Sequence, residues 1–270
     1  MKKIFLLVIL ASFIVGCSAD DSIRNPPSIV FPGNLVLRTQ ADVNAVGAQG
    51  YNVIAGALFI GDVANSNNTP TPSDITDLSP LSTITSVGRQ IQIQSNPQLT
   101  SLDGLSNLAV VSGLIISDNE ALTSLDGISN LSGIDRNTIL TGQTFVSGGM
   151  ISITDNPALT SIESLSSINK QVIAEVTVRN SSLTSLAGLE NLTRIGRLNI
   201  VNNETLTSLD ALESLVEIGS TVLIFRNNAL TNYCSLQPSL QNNTNLLIYN
   251  VYDNQFNPTQ QQIIDGNCIE

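Results

Sequence analysis

Four acidic side chains recur at one position of a repeated sequence pattern. They are Asp103, Asp126, Glu163 and Asp210, and Ala187 takes this position in one repeat. If the repeats stack, neighbouring carboxylates lie roughly 5 Å apart, a separation that retaining glycosidases also use. Such a row could also bind calcium, which prefers carboxylate oxygens. Because the row lies in turn-like segments such as "LDGL", where Asp commonly bonds to local backbone, we interpret it as turn-forming.

The remaining composition offers little for catalysis. The 270 residues include no His and no Trp, and only 4% are aromatic. Without His the chain lacks the usual general base and the commonest metal ligand, and few aromatic side chains remain to build a sugar cleft. The net charge of −11 argues against nucleic acid as a partner. We therefore predict that the protein is not an enzyme and uses no cofactor and no metal.

The repeat has a measurable period. A Leu or Ile opens each copy of an "LTSL"-like tetrapeptide, and these residues are Ile75, Leu99, Leu122, Leu159, Leu183, Leu206 and Leu230. Their spacings are 24, 23, 37, 24, 23 and 24, so a period of 23–24 residues contains one insertion of about fourteen near 132–149. A fixed period in this range indicates a solenoid, in which stacked coils share one core.

Each coil contains one predicted strand and one predicted side wall. Alternating apolar pairs predict inward-facing strand positions, and these pairs are Ile91/Ile93, Leu114/Ile116, Ile151/Ile153, Val176/Val178, Leu198/Ile200 and Val222/Ile224. Leucines at three-residue spacing predict a 3₁₀-like wall, as at Leu99, Leu102, Leu105 and Leu108. Glycines are expected at the bend before the next strand, namely Gly88, Gly113, Gly149 and Gly196.

Two rows of polar residues accompany the repeat. An Asn follows most strands, and the row is Asn96, Asn119, Asn156, Asn203 and Asn227, with Asn180 shifted by one in the fourth coil. We interpret it as structural, bonding its own turn and the next coil; a ligand-binding row is the alternative. A Thr row could bind ice, but solvated turn hydroxyls are the simpler interpretation; it comprises Thr100, Thr123, Thr160, Thr184, Thr207 and Thr231.

The N-terminus has the features of an export signal. Residues 1–3 are "MKK", residues 4–16 are apolar, and "IVGC" ends at Cys17. The apolar stretch is too short for a comfortable membrane span, and "IVGC" resembles a bacterial lipobox. That resemblance implies cleavage after residue 16, a lipid on Cys17, and membrane contact through the lipid alone. The alternative is an ordinary signal peptide with an incidental Cys.

The segment 17–32 is expected to be a flexible tether. It is acidic and contains Pro26, Pro27 and Pro32, which favour an extended spacer. It is similar to the tethers of Bacteroidetes-type outer-membrane lipoproteins, some of which reach the cell surface. We therefore expect an outer-membrane lipoprotein that faces outward.

The cysteine count is consistent with export. Apart from Cys17, the chain contains only Cys234 and Cys268. An even pair in an exported chain predicts one disulfide.

Both ends of the repeat resemble a known family. Residues 34–62 contain a strand with Leu35 and Leu37, then a helix capped by Thr39 with Asp42 three residues on, as in a capping box. Residues 233–268 form an atypical final segment. Together with the repeat they resemble the receptor L-domain-like, leucine-rich-repeat-related family of bacterial cell-surface proteins. The insertion and a polar loop at 63–74 depart from that pattern.

These observations predict one α/β-class repeat protein. We expect a right-handed parallel β-solenoid of about eight coils over 33–270. A capping segment at 33–62 with a short helix is followed by repeats at 63–232. A disulfide-bonded cap is expected at 233–270.

The expected function is recognition or adhesion at the cell surface, with a protein or glycan partner. Outward-facing strand positions are polar in most coils and become apolar toward the C-terminus, at Val201, Leu223, Phe225 and Tyr252. An exposed apolar cluster often marks a contact site, although the C-terminal cap could fold over it. Phe145 in the insertion is a second candidate, since loops on rigid scaffolds often carry function. A polysaccharide-active enzyme and a structural envelope protein are the competing classes.

Overall fold

The computed structural model describes residues 28–62, 71–134, 149–168, 172–243 and 246–270. The signal segment, Cys17, Pro26, Pro27 and Phe145 lie outside the described residues. Among the residues that are described, no helix is long and apolar enough to span a membrane.

Fourteen strands and three α-helices are described. In chain order they are β1 (Val30–Phe31), β2 (Leu35–Leu37), α1 (Gln40–Gly47), β3 (Val53–Ile54), β4 (Leu58–Gly61), β5 (Ser86–Val87), β6 (Gln90–Gln94), β7 (Val110–Val111), β8 (Gly113–Ser117), β9 (Gly133–Ile134), β10 (Gly149–Asn156), β11 (Val172–Ser181), β12 (Arg194–Val201), β13 (Glu217–Phe225), α2 (Gln237–Gln241), β14 (Ile248–Tyr252) and α3 (Gln260–Ile264). Short 3₁₀ helices cover Ser79–Leu81, Asp103–Leu105, Asp126–Ile128, Glu163–Ser167, Asp210–Leu212 and Cys234–Leu236.

The strands form two parallel sheets. The main sheet has nine strands in the order β2, β4, β6, β8, β10, β11, β12, β13, β14, and the second has five in the order β1, β3, β5, β7, β9. Successive coils therefore stack strand upon strand, which confirms the predicted parallel β-solenoid. The second sheet was not predicted from the sequence. It has no separate strands in the later coils because β11, β12 and β13 are long enough to include both positions.

The core is a stack of aliphatic layers. All six predicted inward pairs, from Ile91/Ile93 to Val222/Ile224, are fully buried. The wall leucines from Leu99 to Leu108 are buried opposite them, at the ends of the 3₁₀ helices. Because each layer covers the next, a continuous core forms without any single coil burying its own apolar side chains.

Glycine allows neighbouring coils to approach closely at the 3₁₀ helices. A Cβ at Gly127 would lie 2.0 Å from the Leu102 carbonyl carbon, and one at Gly104 would lie 1.7 Å from the Leu78 carbonyl oxygen. The recurrent "DG" therefore reflects backbone contact between coils. Gly196 differs from its predicted role: it lies inside β12 at a register shift against β13, and not at a bend between elements.

Each end of the solenoid is closed by a cap that has its own local interactions. At the N-terminal end, Thr39 and Asp42 form the predicted capping box of α1, with the Asp42 N–H donating to Thr39 Oγ1 at 3.2 Å. Val30–Phe31 already pairs with Val53–Ile54, so the ordered solenoid begins before the predicted boundary at residue 33.

The C-terminal cap is fixed by a covalent bond. Cys234 and Cys268 form the predicted disulfide, with their Cα atoms 4.9 Å apart. Nearby, the hydroxyl of the buried Tyr233 donates to the Phe256 carbonyl at 2.8 Å, and that of Tyr249 donates to the Pro258 carbonyl at 2.8 Å. Burial raises the pKa of both phenols well above its ordinary value.

Candidate functional site

The four residues predicted to form a partner surface lie on adjacent strands of the main sheet. Val201, Phe225 and Tyr252 are in register on β12, β13 and β14, while Leu223 is in register with Asn250. The parallel pairing therefore brings them together on the outer face.

The four side chains differ in accessibility. Tyr252 is 45% exposed and Val201 only 9%, while Leu223 and Phe225 are half-buried. The accessible cluster is thus smaller than predicted, because neighbouring coils cover Val201. The C-terminal cap is in place and leaves Tyr252 accessible.

Phe225 and Tyr252 form an aromatic pair. Their ring centroids are 4.8 Å apart and their planes differ by 5°, so the rings are stacked face to face. The Arg226 guanidinium carbon lies 5.9 Å from the Phe225 ring centroid, within the range of a cation–π contact. Parallel register fixes the pair, since each ring projects from the same position of consecutive coils.

The middle of the outer face is polar and internally bonded. The Asn199 amide donates to Glu175 at 3.1 Å and to Thr177 at 3.0 Å, and Arg197 lies 4.0 Å from Glu175. Asn199 Oδ1 is buried without a hydrogen-bond partner among the described residues. Arg179 and Arg197 remain exposed on this part of the face, so the C-terminal end differs from it by its aromatic pair and not by its accessibility.

A groove runs beside the aromatic pair, along the corner at which the strands end. Its volume is about 710 Å³, and it is lined by residues of five successive coils, from Pro157 after β10 to Asp253 after β14. The corner is built by residues in the left-handed region, including Asn180 (φ 49°), Asn202 (φ 55°) and Arg226 (φ 56°). The sequence predicted a turn at the Asn row but not this left-handed position, although Asn and Asp at most of these positions tolerate that conformation.

The Asn row lies directly inside this corner. Asn96, Asn119, Asn156, Asn203 and Asn227 are completely buried. The Asn96 N–H and Nδ2 both donate to Asn119 Oδ1, at 3.2 and 2.9 Å, and Asn119 Nδ2 donates to the carbonyls of Ile93 and Ser117. A side chain that is buried and bonded in this way has no capacity left for an external ligand.

Asn180 does not belong to the row, which corrects the assignment made from the sequence. Ser181 takes that position, and its N–H and hydroxyl donate to Asn203 Oδ1 at 3.3 and 2.8 Å. Asn180 instead occupies the preceding left-handed position and donates to Asp155. The row also continues beyond the predicted members, through Asn254 to Asn257.

The acidic row lies on a different wall. Asp103, Asp126, Glu163 and Asp210 are exposed and each begins a 3₁₀ helix. The Ser two residues earlier accepts a hydrogen bond from the backbone N–H of each acid, at 3.0–3.2 Å. These serines, Ser101, Ser124, Ser161 and Ser208, therefore bond the first backbone N–H of each 3₁₀ helix.

Two observations concern the ionisation of the acidic row and its ability to bind a metal ion. Hydrogen bonds from Ser164 and then Ser124 lower the pKa of Asp126 below its ordinary value. No group of three or more acidic, Cys or His side chains within the described ranges could hold a metal ion. The Thr row is mostly exposed beside it, with Thr123 bonding to the Thr100 carbonyl.

Comparisons with known proteins give likenesses among solved structures only. No family model matches the chain, and no curated protein matches it. Among solved structures, an internalin (inlF) from Listeria monocytogenes aligns with 15% identity and a TM-score of 0.47, covering 84% of this chain. The alignment spans only 61% of that internalin chain.

Proposed function

We propose that the chain is a non-catalytic recognition module of the cell surface, tethered through a lipid on Cys17. It binds a protein or glycan partner at the C-terminal end of the outer sheet face. The observation that supports this proposal most directly is the stacked Phe225–Tyr252 pair, of which Tyr252 remains 45% exposed. Tyr252 is the more accessible ring of the pair, and accessible aromatic side chains on a sheet face often mark a contact site.

The scaffold favours binding at this position. The pair projects from β13 and β14, which are in parallel register over five residue pairs from Thr221↔Ile248 to Phe225↔Tyr252. Side chains on a rigid sheet lose little conformational entropy when a partner docks. The surface is therefore organised before the partner arrives.

A polysaccharide-active enzyme is the competing proposal. It would use Asp103 and Asp126, which are exposed on the wall of 3₁₀ helices. Asp126 accepts a hydrogen bond from Ser164 at 2.7 Å, which lowers the pKa of its carboxyl group. Hydrolysis of a polysaccharide that disappears in Asp103→Asn plus Asp126→Asn would establish this class instead.

The proposal is tested by capture of surface material. Full-length protein on beads is incubated with polymers and proteins released from the surface of cells, and bound partners are quantified. Leu223→Ser plus Phe225→Ser should abolish most capture. The matched control is Val110→Ser plus Val216→Ser, because these exposed valines, at 42% and 48%, lie outside the sheet end. Equal capture by wild type and the Leu223/Phe225 variant would disprove the site.

The insertion remains the second candidate for this role. Phe145 lies outside the described residues, so its surroundings add no argument. Deletion of residues 136–147 leaves β9 and β10 in place. Loss of capture on that deletion, together with normal capture by the Leu223/Phe225 variant, would assign binding to the insertion.

A third class is a purely structural envelope protein. That class predicts that neither the wild type nor any variant binds a partner saturably. Wild-type beads that retain no more material than bare beads would favour it.

A further inference from the structure

The corner groove and the aromatic pair form one continuous surface. Arg226 and Asp253 line the groove and directly follow Phe225 and Tyr252 in the chain. The Arg226 guanidinium carbon lies 5.9 Å from the Phe225 ring, and Phe225 stacks on Tyr252. A ligand in the groove would therefore meet the aromatic pair at its edge.

The groove is elongated along the solenoid axis. Its lining extends from the coil of β10 to the coil of β14. Because adjacent strands lie about 4.8 Å apart, these five coils span about 19 Å. This length suits a linear chain of several units better than a single small molecule.

The groove presents polar groups that the fold itself does not use. Asn side chains elsewhere on the corner are fully bonded between coils, as Asn119 and Asn227 show. In contrast, the side-chain amides of the half-buried Asn202 and the exposed Asn228 make no hydrogen bond to any part of the chain that the structure describes. Each retains two donors and one acceptor for a ligand.

The charge of the lining excludes a strongly anionic ligand. Arg226 is its one cation among the described lining residues, against the carboxylates of Glu204 and Asp253. Arg226 Nε lies 4.0 Å from Asp253 Oδ2, and both side chains are more than 60% exposed. The pair is weak in water and adds no net positive charge, so a polyanion gains nothing here.

Within the groove itself, few apolar side chains could anchor a peptide; the aromatic pair lies only at its edge. Protein and peptide interfaces depend on buried aromatic or aliphatic anchors. Pro157 and the Cβ-proximal parts of polar residues are the apolar surfaces among the described lining residues. A groove of amides and hydroxyls suits a ligand that is itself covered with hydroxyl groups.

The outer ring face of Tyr252 supplies the complementary apolar surface. One face of this ring is covered by Phe225 on β13. The other faces away from β13, beyond the last strand of the main sheet, and the side chain is 45% exposed. A pyranose ring offers axial C–H groups on one face and hydroxyls at its edge, which matches an aromatic face beside free amides.

We propose that this groove binds an uncharged oligosaccharide chain, with one sugar stacked on Tyr252 and hydroxyls bonded to Asn202 and Asn228. The proposal rests on the recognition function above and assigns its partner class. It also revises the expectation that too few aromatic residues remain for a sugar site, because the fold concentrates two of them at one end.

The test measures binding of defined probes by calorimetry. Full-length protein in a detergent without a sugar headgroup is titrated with cellotetraose, maltotetraose, xylotetraose, mannotetraose and chitotetraose. At least one should bind, and a heparin tetrasaccharide and a Ser–Gly hexapeptide should not. Probes are taken to about 10 mM, where a Kd of about 1 mM would still give near saturation.

Variants locate the binding. Tyr252→Ala should weaken binding about tenfold or more, while Tyr252→Phe keeps the ring and should bind normally. Asn228→Ala should weaken binding, and Gln98→Ala, at an exposed position of an N-terminal coil outside the groove, should not. Unchanged binding in both Tyr252→Ala and Asn228→Ala would overturn the proposal.

The probe results also separate the two proposals. If none of the tetrasaccharides binds, or only heparin or the peptide does, the oligosaccharide assignment is wrong. Capture of surface material that is lost in the Leu223/Phe225 variant would then still support recognition at this end. Equal capture by that variant would instead remove the proposed function itself.

Discussion

At the residue scale, a buried asparagine side chain supplies the hydrogen bonds that the backbone needs at the corner of most coils. One buried amide donates to two carbonyls and accepts two hydrogen bonds from the preceding coil, as Asn119 does with Ile93, Ser117 and Asn96. A tight bend leaves backbone groups without partners, and burial makes an unpaired group costly. The row therefore stabilises both the turn and the stacking of coils.

The first prediction concerns Asn119. Asn119→Ala should lower the free energy of unfolding by about 2–4 kcal/mol, because at least two buried backbone groups lose their partner. Urea denaturation followed by circular dichroism measures the change. Asn250→Ala, exposed on β14, is the control and should change stability by less than about 0.5 kcal/mol. A similar small change in Asn119→Ala would show that the row is dispensable.

The second prediction concerns the buried phenols of Tyr233 and Tyr249. Burial raises their pKa in the folded protein above the unfolded value of about 10, so the folded state holds protons that the unfolded chain releases. Stability should therefore be constant with respect to these groups below pH 10. It should fall above pH 10, by up to about 1.4 kcal/mol per pH unit for each phenol.

The measurement is urea denaturation at a series of alkaline pH values. Tyr233→Phe should reduce the slope above pH 10, because the buried ring stays but the ionisable group is gone. It should also lower stability at neutral pH, since the bond to the Phe256 carbonyl is lost. An unchanged alkaline slope in Tyr233→Phe would contradict this account.

At the element scale, the 3₁₀ helices set the distance between coils. Gly104 and Gly127 lie where one coil meets the backbone of the preceding one, and a Cβ at either position would fall within 2.0 Å of that backbone. The neighbouring Asp and Ser residues complete the turn through the Ser hydroxyls. The repeated "SLDG" is therefore a packing unit that needs no catalytic explanation.

The third prediction tests this contact. Gly127→Ala should destabilise the protein by about 1–3 kcal/mol through overpacking. Gly33→Ala is the matched control, because nothing lies within 4 Å of a Cβ there. Thermal unfolding of both variants provides the comparison, and equal midpoints would show that the coils can separate without cost.

At the scale of the whole molecule, the two ends of the solenoid differ. The N-terminal half has two parallel sheets, while in the later coils long strands extend through both positions. The aromatic pair and the groove lie at the C-terminal end. A lipid at Cys17 would tether the chain at the end opposite to the proposed binding end.

The fourth prediction concerns that tether. Wild-type protein should enter the detergent phase on phase separation, because an acylated Cys17 adds a long apolar chain. Cys17→Ala should remain in the aqueous phase. If both proteins remain aqueous, Cys17 carries no lipid and the lipoprotein interpretation is wrong.

The sequence alone determined the features that repeat at short range. The 23–24-residue period, the buried inward pairs, the capping box at Thr39 and the pairing of Cys234 with Cys268 all follow from local pattern or simple count. Such features are predictable because each coil must meet the same packing requirement as its neighbours. Right-handedness and the role of Cys17 remain predictions.

The tertiary structure decided what depends on contacts between coils. Three features each depend on residues 22–27 positions away. They are the place of Ser181, and not Asn180, in the Asn row, the burial of Val201 and the exposure of Tyr252. The second sheet and the groove likewise arise only when coils are stacked. A one-residue shift at a corner exchanges buried and exposed side chains, and only the neighbouring coils determine which register has the lower free energy.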